Sequence, residues 1–195
     1  MAVSIGVLDL QGDVGEHIWA FQRALQRIGH DHESRVIPVR RAADISRLDA
    51  LAIPGGESTT ISRLIRENHL QRAIQAFDGG IFATCAGMVL MATDADDPRV
   101  ECLGMMNITV IRNAFGRQKE SFEVDVPIRG MERPFHAVFI RAPLISRCGA
   151  GVEQIAALPQ GVIAVEQGLH SSFAFHPELV DDTRIHEQFI RKIIP

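Results

Sequence analysis

The sequence has few of the features that mark secreted, membrane or nucleic-acid-binding proteins. Its three cysteines are too few and too widely spaced for a disulfide framework or a zinc site, so we expect a reducing, cytoplasmic compartment. No apolar run is long enough to span a bilayer, and the N-terminus lacks the charged start of a signal peptide. The net charge of −4 argues against a broad nucleic-acid surface. We therefore expect a soluble protein with neither membrane nor nucleic acid as a partner.

Length and pattern predict a single domain over residues 1–195, since the chain has no repeat, low-complexity tract or linker. In the first half, apolar strands alternate with amphipathic helices. Such alternation indicates an α/β fold with a mostly parallel central sheet flanked by helices. Ser58 or Thr59 is the expected cap of the helix that follows the third strand. The predicted strands are residues 3–10, 34–39, 50–53 and 80–83.

The second half predicts strands joined by short turns, which indicates an antiparallel extension beside the parallel core. Asp181 or Asp182 is expected to cap a final helix. Ligands of open α/β sheets bind at the carboxyl ends of the strands, so residues just past those ends should meet in one crevice. The predicted strands of this half are residues 103–112, 121–126, 137–141, 152–157, 162–166 and 171–175.

The Thr-Cys-Ala-Gly segment at residues 84–87 is the strongest functional signal. Small residues allow a tight strand-to-helix turn that exposes the side chain of Cys85, as a nucleophile elbow does. The start of the helix favours a thiolate and offers backbone N–H groups to an oxyanion. A plain buried cysteine is the alternative, and it is the interpretation we prefer for Cys102 and Cys148.

The Phe-His-Pro-Glu segment at residues 175–178 supplies the groups that such a nucleophile needs. His176 is a candidate general base, and Glu178 is placed to orient its imidazole. Alone, this segment is equally typical of a structural or surface histidine. Together with Cys85 it predicts a cysteine hydrolase or transferase. No metal site is expected.

Two further segments indicate substrate contacts. The Gly55-Gly56 pair after the third strand is a strand stop and helix cap at the least, and it also allows backbone N–H groups to approach an oxyanion closely. Residues 112–118 carry two guanidinium groups, those of Arg112 and Arg117, and form either a solvated loop or a clamp for the carboxylate of a small amino acid. Gln11, at the end of the first strand, lies beside the Gly55-Gly56 loop and is a candidate for transmitting the docking of a partner.

Several motifs occur in an order along the chain that resembles the pattern of one family. The sequence is similar to the glutaminase subunits of the two-component pyridoxal 5′-phosphate synthase, which are class I, triad-type glutamine amidotransferases with a flavodoxin-like fold. The resemblance covers nearly the whole chain. The motifs are Gly-Val-Leu at 6–8, Leu-Gln-Gly at 10–12, Pro-Gly-Gly-Glu-Ser-Thr-Thr at 54–60, Thr-Cys-Ala-Gly at 84–87, Arg-Asn at 112–113 with Phe-Gly-Arg-Gln at 115–118, Ser-Phe-Glu at 121–123, Phe-Ile-Arg-Ala-Pro at 139–143 and Phe-His-Pro-Glu-Leu at 175–179.

The resemblance implies a residue-by-residue assignment of the site. Cys85 would be the nucleophile, His176 the base and Glu178 its orienter. The oxyanion hole would use the backbone of Gly55, Gly56 and Ala86. Glutamine would be bound by Gly56, Glu57, Ser58, Arg112, Ile140 and Arg141.

The resemblance also implies a partner and a reaction. Glutamine would be hydrolysed to glutamate and ammonia without a cofactor, and the ammonia would pass to a synthase subunit that combines it with a pentose phosphate and a triose phosphate. Two alternatives stay open. One is the glutaminase of another pathway, such as imidazole glycerol phosphate synthase. The other is a non-catalytic interaction module on the same fold.

Overall fold

The computed structural model describes residues 2–30, 32–115 and 121–194. Strands and helices alternate over the first half of the chain. In order they are β1 (Ser4–Leu8), α1 (Val14–Arg27), β2 (Arg35–Val39), α2 (Ala42–Ile45), β3 (Ala50–Ile53), α3 (Ser58–Glu67), α4 (Gln71–Gln75), β4 (Gly80–Thr84) and α5 (Ala86–Met91).

Strands dominate the second half. They are β5 (Asp94–Ala95), β6 (Ile108–Ile111), β7 (Ser121–Val126), β8 (Phe135–Ile140), β9 (Leu144–Cys148), β10 (Glu153–Leu158), β11 (Gly161–Gln167) and β12 (His170–Phe173). A 3-10 turn over Pro177–Leu179 and helix α6 (Arg184–Ile193) follow.

Nine strands follow one another across a ten-stranded sheet in the order β2-β1-β3-β4-β12-β11-β9-β6-β5, and the tenth strand, β10, also pairs with β11. Neighbouring strands from β2 to β12 are parallel, whereas each neighbouring pair from β12 through β11 and β9 to β6 is antiparallel. The predicted parallel core with an antiparallel extension is therefore confirmed. Strands β7 and β8 were expected in that extension, but they form a separate antiparallel sheet.

Helices cover both faces of the parallel part. Strands β3 and β4 are buried along their whole length, which explains why they are continuous apolar runs rather than alternating ones. Helix α1 packs beside α6, and the ring of Phe21 meets those of Phe82 and Phe189 at 5.2 and 6.1 Å between centroids. Helix α3 packs against α5. No helix among the described residues has the length and apolarity to cross a membrane.

The predictions of helix caps were wrong at both sites. Helix α3 is capped by Glu57, whose carboxylate accepts the backbone N–H of Thr60 at 2.9 Å, instead of by Ser58 or Thr59. Helix α6 begins after Thr183 instead of after Asp181 or Asp182, although Asp182 accepts the backbone N–H of Arg184 at 3.1 Å. At α3 the carboxylate of Glu57, one residue before Ser58, offered a competing acceptor. At α6 the side chain of Thr183 makes no capping bond, and Asp182 bonds the start of the helix from one residue further out.

Two strand predictions were also wrong. Strand β9 was missed, because its Leu-Ile-Ser-Arg-Cys sequence mixes apolar and charged residues and only Ile145 is buried. The predicted strand at 103–112 is shortened to Ile108–Ile111, since Leu103 and Met106 bond to the end of α5 through their backbones instead of to a strand.

Candidate functional site

Cys85 lies on the turn between β4 and α5 in a strained conformation. Its backbone has φ 46° and ψ −104°, a region that a non-glycine residue seldom occupies and that is found mainly at functional sites. The backbone N–H of Cys85 donates to the carbonyl of Phe173 at 2.8 Å, which fixes the turn to β12. Gly87 is required here, because a Cβ would lie 2.1 Å from the carbonyl oxygen of Ile53. The turn thus holds Cys85 at the carboxyl end of the sheet.

His176 and Glu178 follow the last strand of the sheet. The imidazole Nδ1 of His176 lies 2.8 Å from Oε1 of Glu178, and the backbone N–H of His176 donates to Val138 at 2.9 Å. Glu178 belongs to the 3-10 turn that Pro177 begins, and its side chain is fully buried. The two-residue offset therefore brings the carboxylate back onto the ring, as the sequence pattern indicates.

A second carboxylate contacts the same ring nitrogen. Oδ2 of Asp13 lies 3.2 Å from Nδ1 of His176, and Asp13 lines the same pocket as Cys85. Sequence reasoning missed Asp13. The only available signal was its position directly after Gln11 and Gly12 at the end of β1, which is one of the strand ends that converge here.

The hydrogen-bond partners of His176 set its acidity. Burial alone would lower the pKa of the imidazole, but hydrogen bonds with Asp13, Cys85 and Glu178 outweigh burial and raise the pKa well above its usual value. For Glu178, burial alone would raise the pKa, but the interactions with His17 and His176 outweigh it and lower the pKa. The site therefore favours an imidazolium next to an ionised carboxylate.

The Gly55-Gly56 loop lies over the imidazole. The backbone N–H of Gly55 donates to Oγ1 of Thr84 at 3.0 Å, and Gly55 is not among the residues that line the pocket. In this conformation its N–H therefore does not serve an oxyanion hole. The other two predicted donors, Gly56 and Ala86, do line the pocket. Ala86 is the first residue of α5, where backbone N–H groups have no partner within the helix.

Gln11 contacts the same loop. Its Oε1 accepts the backbone N–H of Glu57 at 2.8 Å, and a Cβ on Gly56 would lie 2.7 Å from that oxygen. Gly56 has φ +150°, a conformation that side chains rarely adopt. The segment that follows β1 thus packs directly against the Gly55-Gly56 loop.

Two charged side chains, those of Arg112 and Glu57, also line the pocket. Nη2 of Arg112 lies 3.0 Å from Oε1 of Glu57, and Nη1 of Arg112 also pairs with Asp97. Burial would raise the pKa of Glu57, but its hydrogen bonds with Thr59 and Thr60 outweigh this and lower it. The pocket therefore presents an anchored guanidinium next to a carboxylate, which suits a ligand that carries both an α-carboxylate and an α-ammonium group.

These groups surround one cavity of about 260 Å³. Of the predicted site residues, only Gly55 and the buried Glu178 do not line it. The predicted residues that line it are Gln11, Gly56, Glu57, Ser58, Cys85, Ala86, Arg112, Ile140, Arg141 and His176, and the lining residues not predicted are Asp13, Val89, Asn113 and Pro143. The Gly116–Gln118 part of the predicted carboxylate clamp, with its second guanidinium, lies outside the described residues.

The carbonyl oxygen of Ile140 reaches the nucleophile from the separate sheet. It lies 3.7 Å from Sγ of Cys85, within reach of the thiol as an acceptor. Arg141 and Asn113 line the pocket, and both have positive φ, at 45° and 49°. The β7–β8 sheet therefore contributes to one wall of the cavity.

One group of side chains among the described residues has the spacing of metal ligands. Single ligand atoms of Asp13, His176 and Glu178 lie within 4.8 Å of one another. Both carboxylates meet the imidazole at its Nδ1, and the hydrogen bonds described above account for this arrangement.

Comparison with known proteins places the chain in a family. Residues 7–195 match the SNO glutamine amidotransferase family, and the chain belongs to that family. A solved structure described as a glutamine amidotransferase superposes with a TM-score of 0.85 and 41% sequence identity, over 97% of this chain and 98% of that chain. The fold and the family thus define a glutamine amidotransferase.

The chain is also similar to proteins whose names specify the synthase to which they belong. The chain is 57% identical over 190 residues to pyridoxal 5′-phosphate synthase subunit PdxT of Methanosphaerula palustris, covering 97% of both chains. It is 55% identical over 192 residues to the PdxT subunit of Methanoregula boonei, covering 98% of this chain and 99% of the relative. These matches favour the vitamin B6 synthase over the other glutaminase pathway that the sequence left open.

We expect Asp13→Asn to lower the pKa of His176, because the neutral amide removes one of the negative charges that stabilise the imidazolium. The measurement is an NMR pH titration of the ring carbons of His176, assigned with a His176→Asn variant. Asp44→Asn is the control, since Asp44 pairs with Arg41 on the surface. An unchanged pKa of His176 in Asp13→Asn would show that this carboxylate does not act on the ring.

Proposed function

We propose that the chain is the glutaminase subunit of a pyridoxal 5′-phosphate synthase, working as a single glutamine amidotransferase domain. It hydrolyses L-glutamine to L-glutamate and ammonia and delivers the ammonia to the synthase subunit. The observation that carries the proposal is the strained Cys85 in one pocket with His176, whose imidazole is hydrogen-bonded to the buried Glu178. The names of the PdxT relatives supply the pathway. Three free thiols fit a cytoplasmic location.

The proposed mechanism uses Cys85, His176 and Glu178 in succession. The thiolate of Cys85 attacks the side-chain amide carbon of glutamine, and the carbonyl oxygen takes the negative charge. The imidazolium of His176 donates a proton to the leaving nitrogen, which departs as ammonia. The imidazole then accepts a proton from water, which hydrolyses the thioester to glutamate. Glu178 holds the ring in one orientation and stabilises its charged form.

The proposed binding mode follows the charges of the pocket. Arg112 binds the α-carboxylate of glutamine, and Glu57 binds its α-ammonium group. Ser58, Ile140 and Arg141 complete the wall around the substrate. The backbone N–H groups of Gly56 and Ala86 receive the oxyanion. This placement directs the side-chain amide toward Cys85 at the other end of the cavity.

Direct transfer of the ammonia follows from its acid–base chemistry. Ammonia that escapes into neutral water is mostly ammonium, which is not a nucleophile. A synthase subunit that docks over the pocket would receive it before protonation. Glutamine hydrolysis without a docked partner wastes the product, so we propose that the isolated chain is poorly active and that docking raises its rate.

We expect Cys85→Ser to abolish glutamine hydrolysis while the fold is retained. A glutamine-analogue electrophile should label Cys85 and spare Cys102 and Cys148, because burial raises the pKa of both of those thiols. Peptide mapping after labelling, together with glutamate release by the complex with its synthase subunit, measures both outcomes. Cys148→Ser is the matched control and should retain activity. Glutamate production by Cys85→Ser above the no-enzyme background would contradict the assignment.

We expect Gln11→Ala to blunt activation by the synthase subunit, because Gln11 connects the end of β1 to the Gly55-Gly56 loop through its bond to Glu57. Glutamate release is measured against the concentration of the synthase subunit. Gln167→Ala is the matched control, since Gln167 makes the same kind of bond to the backbone of Asn107, remote from the pocket. Equal activation of wild type and Gln11→Ala would remove Gln11 from the coupling.

Gly55→Ala, at first sight a second test of this loop, is unsuitable. A Cβ at Gly55 would lie 2.4 Å from Cε1 of His176 and 3.1 Å from Oδ2 of Asp13. The substitution would displace the imidazole itself. Any loss of activity in that variant would report on His176 and leave the role of the loop undecided.

A further inference from the structure

A buried polar cluster joins Glu178 to two side chains that the proposed mechanism does not use, His17 of α1 and Thr84 of β4. Oε1 of Glu178 lies 3.3 Å from Nε2 of His17 and 3.3 Å from Oγ1 of Thr84. Nε2 of His17 and Oγ1 of Thr84 lie 3.0 Å apart. His17 and Thr84 are fully buried, and Glu178 is nearly so. The three groups therefore meet in the interior of the protein, away from its surface.

The donors and acceptors of the cluster can be assigned. Oγ1 of Thr84 accepts the N–H of Gly55, so its own hydrogen is free to go to the carboxylate. A bare Nε2 on His17 would place a lone pair 3.3 Å from the carboxylate oxygen, which is repulsive. The tautomer consistent with these contacts carries the proton on Nε2. Nδ1 is then an acceptor, and it has no hydrogen-bond partner among the described residues.

This assignment gives one carboxylate oxygen two hydrogen-bond donors and a third N–H group nearby. Oε1 of Glu178 accepts from Nδ1 of His176 at 2.8 Å and from Oγ1 of Thr84 at 3.3 Å. Nε2 of His17 lies 3.3 Å from the same oxygen and makes its hydrogen bond to Oγ1 of Thr84 at 3.0 Å. A buried carboxylate stays ionised only where such donors compensate for its lost hydration. His17 and Thr84 also fix where the oxygen lies, and hence the plane of the imidazole that bonds to it.

The surroundings of His17 leave its ring little freedom. It stacks on Phe21 at 6.4 Å and meets Phe82 edge-on at 6.0 Å. His186 lies 6.3 Å away, and burial lowers its pKa to about 3, so it brings no positive charge to the cluster near neutral pH. The position of Nε2 is therefore set by packing between α1 and the sheet.

Thr84 also connects the cluster to the loop above the pocket. Its hydroxyl bonds both Gly55 and Glu178, so one side chain spans the triad carboxylate and the loop that precedes Gly56. Gly55 in turn packs directly against the imidazole, because a Cβ at Gly55 would lie 2.4 Å from Cε1 of His176. A shift of the loop is thus transmitted to the carboxylate through one hydroxyl.

From this geometry we infer that Thr84 and His17 are positioning residues, which hold Glu178 and the Gly55 loop in register so that His176 faces Cys85 and the oxyanion donors together. The inference rests on the proposed glutaminase function. It assigns these two residues no contact with substrate.

Thr84→Val tests the inference, since it keeps the shape of the side chain and removes the hydroxyl. In the complex with the synthase subunit we expect the kcat for glutamine to fall roughly tenfold to a hundredfold, as a small misplacement of catalytic groups does, with KM little changed. Thr84→Ser should restore most of the lost kcat. His17→Leu should also lower kcat without raising KM.

Thr183→Val is the matched control, because Thr183 is a buried threonine whose hydroxyl bonds to Glu187 at 2.7 Å, outside the pocket. Urea unfolding of all variants shows whether they fold. The NMR signal of the Nδ1 proton of His176 provides a readout without turnover, and we expect it to shift in Thr84→Val and to return in Thr84→Ser.

The possible results separate the inference from the proposed function. Wild-type kcat in Thr84→Val overturns the inference. A loss that Thr84→Ser does not rescue, with the His176 signal unchanged, also overturns it and leaves a purely structural role. If the wild-type complex releases no glutamate, the proposed function fails, and the His176 signal alone then decides whether Thr84 positions the ring.

Discussion

The ionised carboxylate of Glu178 is the constraint on which the rest of the site depends. Its side chain is fully buried, where an uncompensated charge is very costly, yet it is held by His176, His17 and Thr84. These partners come from the chain after β12, from α1 and from β4. The carboxylate can therefore exist only when the helix and both strands are in place, and the fold and the site form together.

The sheet places the reacting groups by bringing separate strand ends to one edge. Gln11 and Asp13 follow β1, Gly56 follows β3 and Cys85 follows β4. Parallel neighbours put these ends side by side, as expected for open α/β sheets. The positive φ of Cys85 is the cost of turning the thiol into that crevice, about 1–3 kcal/mol for such a backbone. The bond from Cys85 to Phe173 helps to hold this conformation.

Much of this arrangement could be predicted from the sequence because its signals are local. The small residues at 84–87 define the elbow, and the spacing of His176 and Glu178 fixes their contact. The parallel core follows from the alternation of strands and helices. Motifs of this kind depend on neighbours within a few residues, so a single sequence contains them.

The remaining features depend on contacts between distant segments. The approach of Asp13 to His176, and of His17 to Glu178, spans more than 150 residues of sequence and leaves no periodic pattern. The carboxylate of Glu57 also meets Arg112, a partner 55 residues away. The separation of β7 and β8 from the main sheet likewise depends on tertiary packing.

The most direct test of this account is the glutaminase rate of Glu178→Gln, measured in the complex with the synthase subunit. The amide keeps the size of the side chain but removes the negative charge that orients and stabilises the imidazolium of His176. By analogy with serine triads, the account predicts a loss of roughly three to four powers of ten in kcat, with the fold retained. A folded Glu178→Gln protein whose kcat equals that of wild type would contradict it.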